Sequence, residues 1–422
     1  MSETSITAET CCQDDSDPHS LTPAAALSRI LTTITPLADT EKATLGEALN
    51  RVLAEDIHSR IDVPNCTNSA MDGYAVQGAD IPGGGTRELR IVGTVFAGKP
   101  FPGKIESGAC ARIMTGGVMP AGADTVITQE SVERNGDIIR IDDRTRPGDN
   151  VREAGEDVRA GDRILTQGAR LTPADIGLLA SLGLAEIPVT RRPKVAFLST
   201  GDELRSVGET LDAGQVYDSN RYTIRGMLER LGVETIDFGV IRDTREEIER
   251  ALREAAAEAD VVITSGGVSV GEADYVKETL VKLGAINFWK IAIKPGRPLA
   301  FGTIDHSYFF GLPGNPVSVM VTFYQFVQPA LLRLMGAKSE EPLTANAISL
   351  SSLNKAPGRV EYQRGILGKD EQGRHVVRKT GAQGSGILSS MSQANCFIVL
   401  PMECAGIKAG MEVEVQPFHG LI

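Results

Sequence analysis

From residue 193 onward, apolar strands alternate with amphipathic helices, and this order restricts the possible folds more than any other feature of the chain. Strands are predicted at residues 194–199, 260–264, 288–293 and 308–310, and helices at 220–231, 245–259, 275–283 and 317–334. The helix over 245–259 is expected to open at Asp243, with Glu246 three residues later in a variant of the capping box. Such alternation predicts a parallel, doubly wound sheet with helices on both faces.

The segments around this region predict a multidomain α/β plus β chain. Thr22-Pro23 and Thr172-Pro173 each place a capping hydroxyl before a proline at the first helical position, so a short helix should follow each pair. Residues 61–149 alternate apolar runs with Gly/Pro turns and predict an inserted β module. Short strands return after residue 342 and predict a C-terminal β-barrel-like domain. The expected parts are a disordered acidic tail (1–20), a discontinuous small α/β domain I (21–60 and 150–192), a β domain II (61–149), an α/β domain III (193–341) and a β-barrel domain IV (342–422).

The charge of the chain argues against a nucleic-acid binder. The 422 residues carry a formal net charge of −12, whereas a protein that binds the phosphate backbone is broadly basic. Domain IV is the one region that is not acidic, with eight basic and six acidic residues. This surplus fits contact with an anionic ligand, and equally fits chance variation on a solvated surface.

The sequence predicts a cytoplasmic protein without a zinc site. No uninterrupted run of about 18 apolar residues is present, and the acidic first twenty residues lack the basic start of a signal peptide. The six cysteines show no C-x-x-C spacing and fit a reducing compartment. If a metal is used, carboxylates must hold it, which points to a hard cation such as Mg²⁺.

Polar loops follow three predicted strands of the α/β domain, where ligands bind in sheets of this kind. One loop starts at Thr200 and includes Asp202 and Glu203, a second runs from Ser265 to Asp274, and a third from Gly311 to Ser318. The second loop has the glycines and serines of an anion cradle, although a plain structural turn explains it as well. It matches neither the P-loop nor the dinucleotide-binding fingerprint.

Charged residues are expected to collect near this edge. Asp218 and Asp243 each have a helix-capping role as the alternative to a binding role, but several converging carboxylates require a cation. The acidic residues near predicted strand ends or helix starts are Asp202, Glu203, Asp218, Asp243, Glu272 and Asp274. In a strand over 288–294, Lys290 and Lys294 would share one face, with Arg297 just beyond. These side chains suit a phosphate or oxyanion, or else are solvated lysines at a sheet edge.

Taken together, eight ordered motifs resemble the molybdopterin molybdenumtransferase family of the MoeA type, which is similar to the E domain of gephyrin. The resemblance runs from about residue 21 to the C-terminus. The motifs are Asn68-Ser-Ala-Met-Asp-Gly-Tyr-Ala75, Arg112-Ile-Met-Thr-Gly116, Gly155-Glu-Asp157, Ser199-Thr-Gly-Asp-Glu-Leu204, Asp218-Ser-Asn220, the loop 265–274, Lys294-Pro-Gly-Arg-Pro298 and Gly311-Leu-Pro-Gly-Asn-Pro316.

The resemblance implies transfer of molybdenum from molybdate into adenylylated molybdopterin, with Mg²⁺ present and AMP released. It implies a homodimer whose cleft lies between domain III of one subunit and domain II of the other, and transient contact with other cofactor-biosynthesis proteins. The implied catalytic residues are Asp72, Thr115, Asp157, Glu203, Asp243 and Asp274. The implied substrate-binding residues are Asp218, Ser265, Gly266, Gly267, Ser269, Lys290, Lys294, Arg297, Pro313, Pro316, Ser318, Arg364 and Ser385.

Roles within this set follow from the resemblance and from ligand chemistry. Asp243 and Asp274 are assigned to Mg²⁺, and Lys294, Arg364 and Ser385 to molybdate. Glu203 and Asp72 are assigned to orienting the substrate. Arg297 stands where many relatives have lysine, and the charge is kept.

Two competing functions are distinguishable. A pterin adenylyltransferase built on residues 193–336 would use ATP and release pyrophosphate, but it would need neither the 68–75 module nor the C-terminal β domain. A non-catalytic scaffold of the gephyrin kind would be expected to carry an extra trimerising domain or linker. It should also keep its partner binding when Asp274 or Lys294 is lost.

Overall fold

The computed structural model describes residues 20–266, 275–338 and 341–418. These residues form two compact units. Unit 1 contains the described parts of Met1–Glu41, Asn50–Ala54 and Val189–Ile422, and unit 2 contains Lys42–Leu49 and Glu55–Pro188. The acidic tail predicted over 1–20 lies, apart from its last residue, outside the described residues. The finer division into four domains stays a prediction.

The described residues form helices and strands with the following bounds. The helices are α1 (Pro23–Thr33), α2 (Pro173–Ser181), α3 (Ser219–Leu231), α4 (Arg245–Glu258), α5 (Tyr275–Leu283), α6 (Pro316–Thr322), α7 (Gln328–Leu334) and α8 (Leu388–Gln393), with a π-helical segment Phe323–Val327 between α6 and α7. The strands up to residue 190 are β1 (Thr40–Thr44), β2 (Ile57–His58), β3 (Asn68–Ser69), β4 (Gly73–Val76), β5 (Arg87–Val95), β6 (Ala109–Ile113), β7 (Thr125–Thr128), β8 (Glu133–Asn135), β9 (Ile138–Ile141), β10 (Val151–Arg152), β11 (Arg163–Leu165) and β12 (Glu186–Thr190). The later strands are β13 (Lys194–Thr200), β14 (Leu204–Arg205), β15 (Val216–Tyr217), β16 (Glu234–Ile241), β17 (Val261–Ser265), β18 (Gly284–Lys290), β19 (Ile293–Lys294), β20 (Pro298–Ile304), β21 (Ser307–Leu312), β22 (Ala345–Ser349), β23 (Val360–Lys369), β24 (His375–Lys379), β25 (Cys396–Leu400) and β26 (Glu412–Pro417).

Unit 1 is built on a six-stranded sheet in the order β16-β13-β17-β21-β20-β18. The first four strands are parallel, which confirms the doubly wound arrangement. Strand β20 pairs antiparallel with β21, and β18 pairs antiparallel with β20 at the edge. Alternate residues of β13 point to opposite cores. Leu198 packs in the cluster that contains α4 and α5, and Phe197 packs in the cluster that contains α3 and the α6–α7 region. Because both faces are covered, β13 is apolar without alternation.

The single strand predicted over 288–293 is wrong, and so is the shared face of Lys290 and Lys294. Strand β18 ends at Lys290, and the chain resumes pairing in another sheet as β19 at Ile293–Lys294. Between them, the Ala292 amide donates to the Leu21 carbonyl at 2.8 Å. Ile291, Ala292 and Ile293 are all buried, so the alternation of inward and outward side chains breaks at this crossing. The two lysines therefore belong to different sheets.

Helix starts agree with the sequence except at α4. Thr22 Oγ1 accepts a hydrogen bond from the Ala25 amide at 3.2 Å, and Thr172 forms a capping box with Asp175. At α4, however, the N-cap is Thr244, whose Oγ1 accepts from the Glu247 amide at 3.4 Å. The prediction that Asp243 caps this helix is therefore wrong, and its carboxylate is available for another role.

The helix predicted over 317–334 is interrupted by the π-helical segment Phe323–Val327. Pro329 follows, and because proline lacks an N–H and crowds the preceding turn, it favours such an interruption. The stretch Pro316–Leu334 is long and apolar enough to cross a membrane, but 72% of its apolar window is buried in the protein. This burial agrees with the predicted core helix.

The C-terminal part of unit 1 contains a closed five-stranded barrel. Its strands follow the order β23-β24-β22-β26-β25, and β25 pairs again with β23. Strand β19 pairs in parallel with β23 and connects the barrel to the α/β part. Strand β22 and helix α8 were not predicted from the sequence.

Unit 2 contains the predicted β module as a six-stranded sheet in the order β7-β4-β6-β5-β9-β8. Apolar residues pack on both faces: Tyr74 and Leu89 lie in one core cluster, and Ala75 and Val95 in the other. The tight approach of β4 to β7 requires Gly73, because a Cβ there would lie 2.1 Å from the Ile127 carbonyl oxygen.

Candidate functional site

The ends of β13, β17 and β21, from which the three polar loops start, lie side by side because these strands are parallel neighbours. Gly266 at the end of β17 donates its amide to the Leu312 carbonyl at 3.1 Å. Its φ is +91°, and a Cβ would lie 2.8 Å from the Thr200 carbonyl oxygen, so only glycine fits between the neighbouring strand ends. Gly267, Ser269, Glu272 and Asp274 lie outside the described residues.

Asn220 joins two of these strand ends, and the sequence analysis did not predict it as a site residue. Its Nδ2 donates to Ser265 Oγ at 2.9 Å and to the Gly314 carbonyl at 2.6 Å. The signal in the sequence was its place in the Asp218-Ser-Asn220 motif, at the start of α3. An amide at this position reaches both loops at once.

Asp218 is both a helix cap and a candidate ligand. Its Oδ1 accepts from the Arg221 amide at 3.1 Å, and the residue is 2% exposed. Its Oδ2 and Asn220 Oδ1 are buried and have no hydrogen-bond partner within the described residues. Buried acceptors of this kind normally bind a donor, so this edge is suited to a ligand with hydrogen-bond donors.

An acidic cluster follows β13 and β16. The Asp243 amide donates to Asp202 Oδ1 at 3.4 Å, and the pKa of the Asp243 carboxyl is raised by partial burial and by the negative charges of Asp202 and Glu203. In the described parts of the chain, no lysine or arginine forms an ion pair with any of the three. Gly201 permits this arrangement, since its φ is +146° and a Cβ would lie 2.5 Å from Glu203 Oε2.

The acidic cluster of Asp202, Glu203 and Asp243 does not by itself form a complete metal site. No three metal-binding side chains converge on a common point among residues 20–266, 275–338 and 341–418. Mg²⁺ is usually held by one or two carboxylates together with water and substrate phosphates. The partial burial and the neighbouring negative charges that raise the Asp243 pKa are compatible with such a cation.

Lys294 makes one of the contacts between the α/β part and the barrel. It is the register partner of Glu361 on β23, and its Nζ lies 3.4 Å from Glu361 Oε2. Lys290 ends β18, and the Arg297 carbonyl accepts from the Ile291 amide at 2.7 Å. Glu361 was not predicted from the sequence, because nothing in the linear pattern indicates its pairing across strands.

Arg364 is buried on the outer face of the barrel strand β23, towards α8, and organises the loop that carries Ser385. It is 1% exposed, and its guanidinium donates to Ser390 Oγ at 3.0 Å and to the Gly384 carbonyl at 3.1 Å. Burial lowers the pKa of Arg364 to about 10, although the charge of Glu361 acts in the opposite direction. The family resemblance implied a molybdate-binding role for Arg364, and in the structure its hydrogen bonds support this loop.

The segment 313–318 connects the sheet edge to this barrel loop. The Gly314 carbonyl accepts from Asn220, and the Val317 amide donates to the Ser385 carbonyl at 3.0 Å. Pro316 occupies the start of α6, and Ser318 is 3% exposed. The structure therefore brings together, within unit 1, the predicted residues Asp218, Ser265, Gly266, Pro313, Pro316, Ser318, Arg364 and Ser385.

Unit 2 holds a separate pair of predicted residues. Asp72 Oδ1 accepts from the Thr115 amide at 2.7 Å and from the Thr115 hydroxyl at 2.8 Å. These hydrogen bonds, the backbone one foremost, lower the pKa of the Asp72 carboxyl. Asp157 is exposed, and its amide donates to the Val63 carbonyl at 3.0 Å. In the described part of unit 2, no hydrogen bond joins Asp157 to Asp72 or Thr115.

Comparison with protein families gives three matches that together cover most of the chain. Residues 21–183 match the MoeA N-terminal region (domain I and II). Residues 196–333 match a probable molybdopterin binding domain. Residues 346–418 match the MoeA C-terminal region (domain IV).

Individual relatives agree with these matches. The chain is 49% identical to a molybdopterin molybdenumtransferase of Haemophilus influenzae, over 95% of this chain and 100% of that protein. It is 33% identical to a gephyrin of Dictyostelium discoideum, over 89% of this chain and 59% of that protein. Among solved structures, a molybdopterin biosynthesis MoeA protein from Pyrococcus horikoshii is similar, with a TM-score of 0.82, 32% identity, and coverage of 94% of this chain and 100% of that one.

Proposed function

Since this chain belongs to the molybdopterin molybdenumtransferase family and is a transferase of molybdenum cofactor biosynthesis, we propose that it inserts molybdenum from molybdate into adenylylated molybdopterin and releases AMP. The observation that carries the proposal is the segment 313–318. It contacts Asn220 at the polar edge of the sheet and the Ser385 loop of the barrel. We assign the end that contacts Asn220 to the pterin nucleotide and the end that contacts the Ser385 loop to the oxyanion.

The polar edge supplies donors and acceptors for the pterin nucleotide. The Ser265 hydroxyl and the backbone of Gly266, which has no Cβ, are assigned to a phosphate of this nucleotide. Asp218 Oδ2 and Asn220 Oδ1 are acceptors for the amino groups that a pterin carries. Glu203, in the acidic cluster, is assigned to orienting the substrate.

Oxyanion binding is assigned to the junction with the barrel. Lys294, Arg364 and Ser385 supply positive charge and a hydroxyl to a tetrahedral dianion, and Lys290 and Arg297 add to the positive field. Pro313, Pro316 and Ser318 are assigned to the same binding site. Tungstate, a dianion of the same shape, would meet the same groups.

Mg²⁺ is assigned to the acidic cluster of Asp243, with Asp274 as a second ligand from outside the described residues. Partial burial and the neighbouring carboxylates of Asp202 and Glu203 raise the pKa of Asp243, and a cation bound here would offset both effects. When bound, the cation supplies charge stabilisation for the departing AMP phosphate. Asp243 and its neighbours hold and orient it.

We further propose a cytoplasmic homodimer in which Asp72, Thr115 and Asp157 of one protomer serve the site of the other. A mixture of two inactive variants tests this arrangement. Asp72→Asn and Asp243→Asn, co-expressed with different tags and purified as a mixed dimer, should recover activity, because one of the two sites then carries neither substitution. A mixed dimer as inactive as its parents would refute the shared site.

The activity itself is tested by AMP release from adenylylated molybdopterin, with and without molybdate, across a titration of Mg²⁺. Release that depends on both supports the proposal. Pyrophosphate formed from ATP and free pterin would instead indicate an adenylyltransferase, and no product in either assay would favour a scaffold. The variant Asp274→Asn tests the metal assignment, which is wrong if Mg²⁺-dependent turnover is unchanged.

A further inference from the structure

Glu361 is a buried carboxylate on β23 that pairs with Lys294, one of the two cationic residues assigned to the oxyanion. It pairs with Lys294 at 3.4 Å, and its charge acts on Arg364, three residues along the same strand. The Glu361 side chain is 8% exposed, whereas that of Lys294 is 44% exposed. Within this ion pair, the Glu361 carboxylate is buried and the Lys294 ammonium faces solvent.

The fixed end is held by further contacts inside the barrel. Glu361 Oε1 accepts from Gln363 Nε2 at 2.9 Å, and the same nitrogen donates to the Asn354 carbonyl at 3.1 Å. Gln363 is 3% exposed and lies on the same face of β23, two residues beyond Glu361. The carboxylate therefore has one oxygen tied to the barrel and the other directed at Lys294.

The backbone around Lys294 is fixed in a similar way. The Val360 amide donates to the Ala292 carbonyl at 2.9 Å, and Ile293 pairs with Val360 in register. Gly296, with φ +102°, packs so closely that a Cβ would lie 2.7 Å from Thr322 Cγ2. What remains mobile in Lys294 is its side chain, whose rotamer freedom amounts to about 2 kcal/mol.

We propose that Glu361 is a positioning residue that fixes the Lys294 ammonium at the oxyanion pocket. A buried carboxylate is seldom the most stable choice for a barrel, since an apolar side chain of similar size often serves stability as well or better. Its geometry here instead restricts a half-exposed lysine to one position. The inference rests on the proposed function, because the role of Lys294 does.

A double-mutant cycle in kcat tests the proposal. Glu361→Gln keeps the size of the side chain and should lower kcat for molybdate-dependent AMP release about tenfold, within the range of coupled contacts. Lys294→Met should lower it about a hundredfold, and adding Glu361→Gln to Lys294→Met should lower it no further. The KM for molybdate should not rise in Glu361→Gln, because the lost charge is negative. Glu412→Gln, an exposed carboxylate on the same barrel, is the matched control and should behave as the unaltered protein.

Thermal unfolding of the four proteins of the cycle (the unaltered protein, the two single variants and the double variant) tests the coupling without measuring turnover. Lys294→Met alone leaves a buried carboxylate without its counter-ion and should lower Tm, and Glu361→Gln in that background should restore part of the loss. If the unaltered protein shows no molybdate-dependent release, the proposed function fails, while this cycle still reports on the pair.

Three results would overturn the proposal. The first is an unchanged kcat in Glu361→Gln. The second is an equal loss of kcat with and without Lys294→Met, which would mean that Glu361 acts only by supporting the fold. The third is additive Tm changes, which would show that the two residues are not coupled.

Discussion

The acidic cluster of Asp202, Glu203 and Asp243 and the basic pair Lys294 and Arg364 lie in the same unit but are built in opposite ways. The acidic residues repel one another, and no ion pair relieves them within the described residues. The basic residues are compensated: Lys294 has Glu361, and Arg364 has several oxygen acceptors. One cluster is left with unbalanced charge, and the other is satisfied by the protein itself.

This difference indicates how each cluster meets its ligand. Uncompensated charge is kept where a counter-ion from outside completes the site, and such groups add little to stability or reduce it. A compensated cation supports the local structure, and the loss of one that is buried, such as Arg364, leaves its polar partners unsatisfied. Substitutions should therefore separate activity from stability differently in the two regions.

The largest expected effect is on turnover in the acidic cluster. Asp243→Asn should lower Mg²⁺-dependent AMP release by about a hundredfold or more, equivalent to roughly 2.7 kcal/mol of barrier, because a cation ligand is lost. Its Tm without Mg²⁺ should not fall, since repulsion is relieved. Kinetics across a Mg²⁺ titration and thermal unfolding measure both quantities.

Glu246→Gln is the control for this prediction. Glu246 is an exposed carboxylate in the first turn of α4, and its loss should leave turnover unchanged. If Asp243→Asn destabilised the protein and kept its Mg²⁺ response, the carboxylate would be a structural group and the contrast would disappear.

The next effect is on stability in the barrel. Arg364→Met should destabilise the protein by about 3 kcal/mol, because Ser390 Oγ and the Gly384 carbonyl lose a buried donor. Activity should fall as well, since the Ser385 loop loses its support. Denaturant unfolding, compared with Ser390→Ala, which removes only one acceptor and should cost about 1 kcal/mol, measures the difference. A stable Arg364→Met protein would show that the guanidinium is kept for the ligand alone.

The sequence predicted one of these regions better than the other, and the reason is physical. The common edge at which β13, β17 and β21 end follows from local patterns, because parallel neighbouring strands must end on one side. The barrel junction does not: Lys294 and Glu361 are 67 positions apart and meet only through the pairing of β19 with β23. The prediction of one strand over 288–293 failed for the same reason, since a tertiary contact with Leu21 interrupts a locally favourable pattern. Asp243 was misassigned as a cap because Thr244, the next residue, competes for the same position.

The smallest expected effect is a pH dependence of stability that comes from the acidic cluster. The pKa of Asp243 is raised in the folded protein, so between the ordinary value of 3.8 and the raised value the folded state binds more protons than the unfolded state. Stability should therefore decrease as the pH rises through this window and should stay lower above it. Because Asp243 is only partly buried, solvent screens the effect, and it should amount to less than about 1 kcal/mol. Asp243→Asn should remove this component, which unfolding curves between pH 4 and 7 in the absence of Mg²⁺ would detect as a flatter profile. Saturating Mg²⁺ should give the unaltered protein an equally flat or rising profile above the window, and an identical slope in both proteins would show that the repulsion is already relieved within the chain.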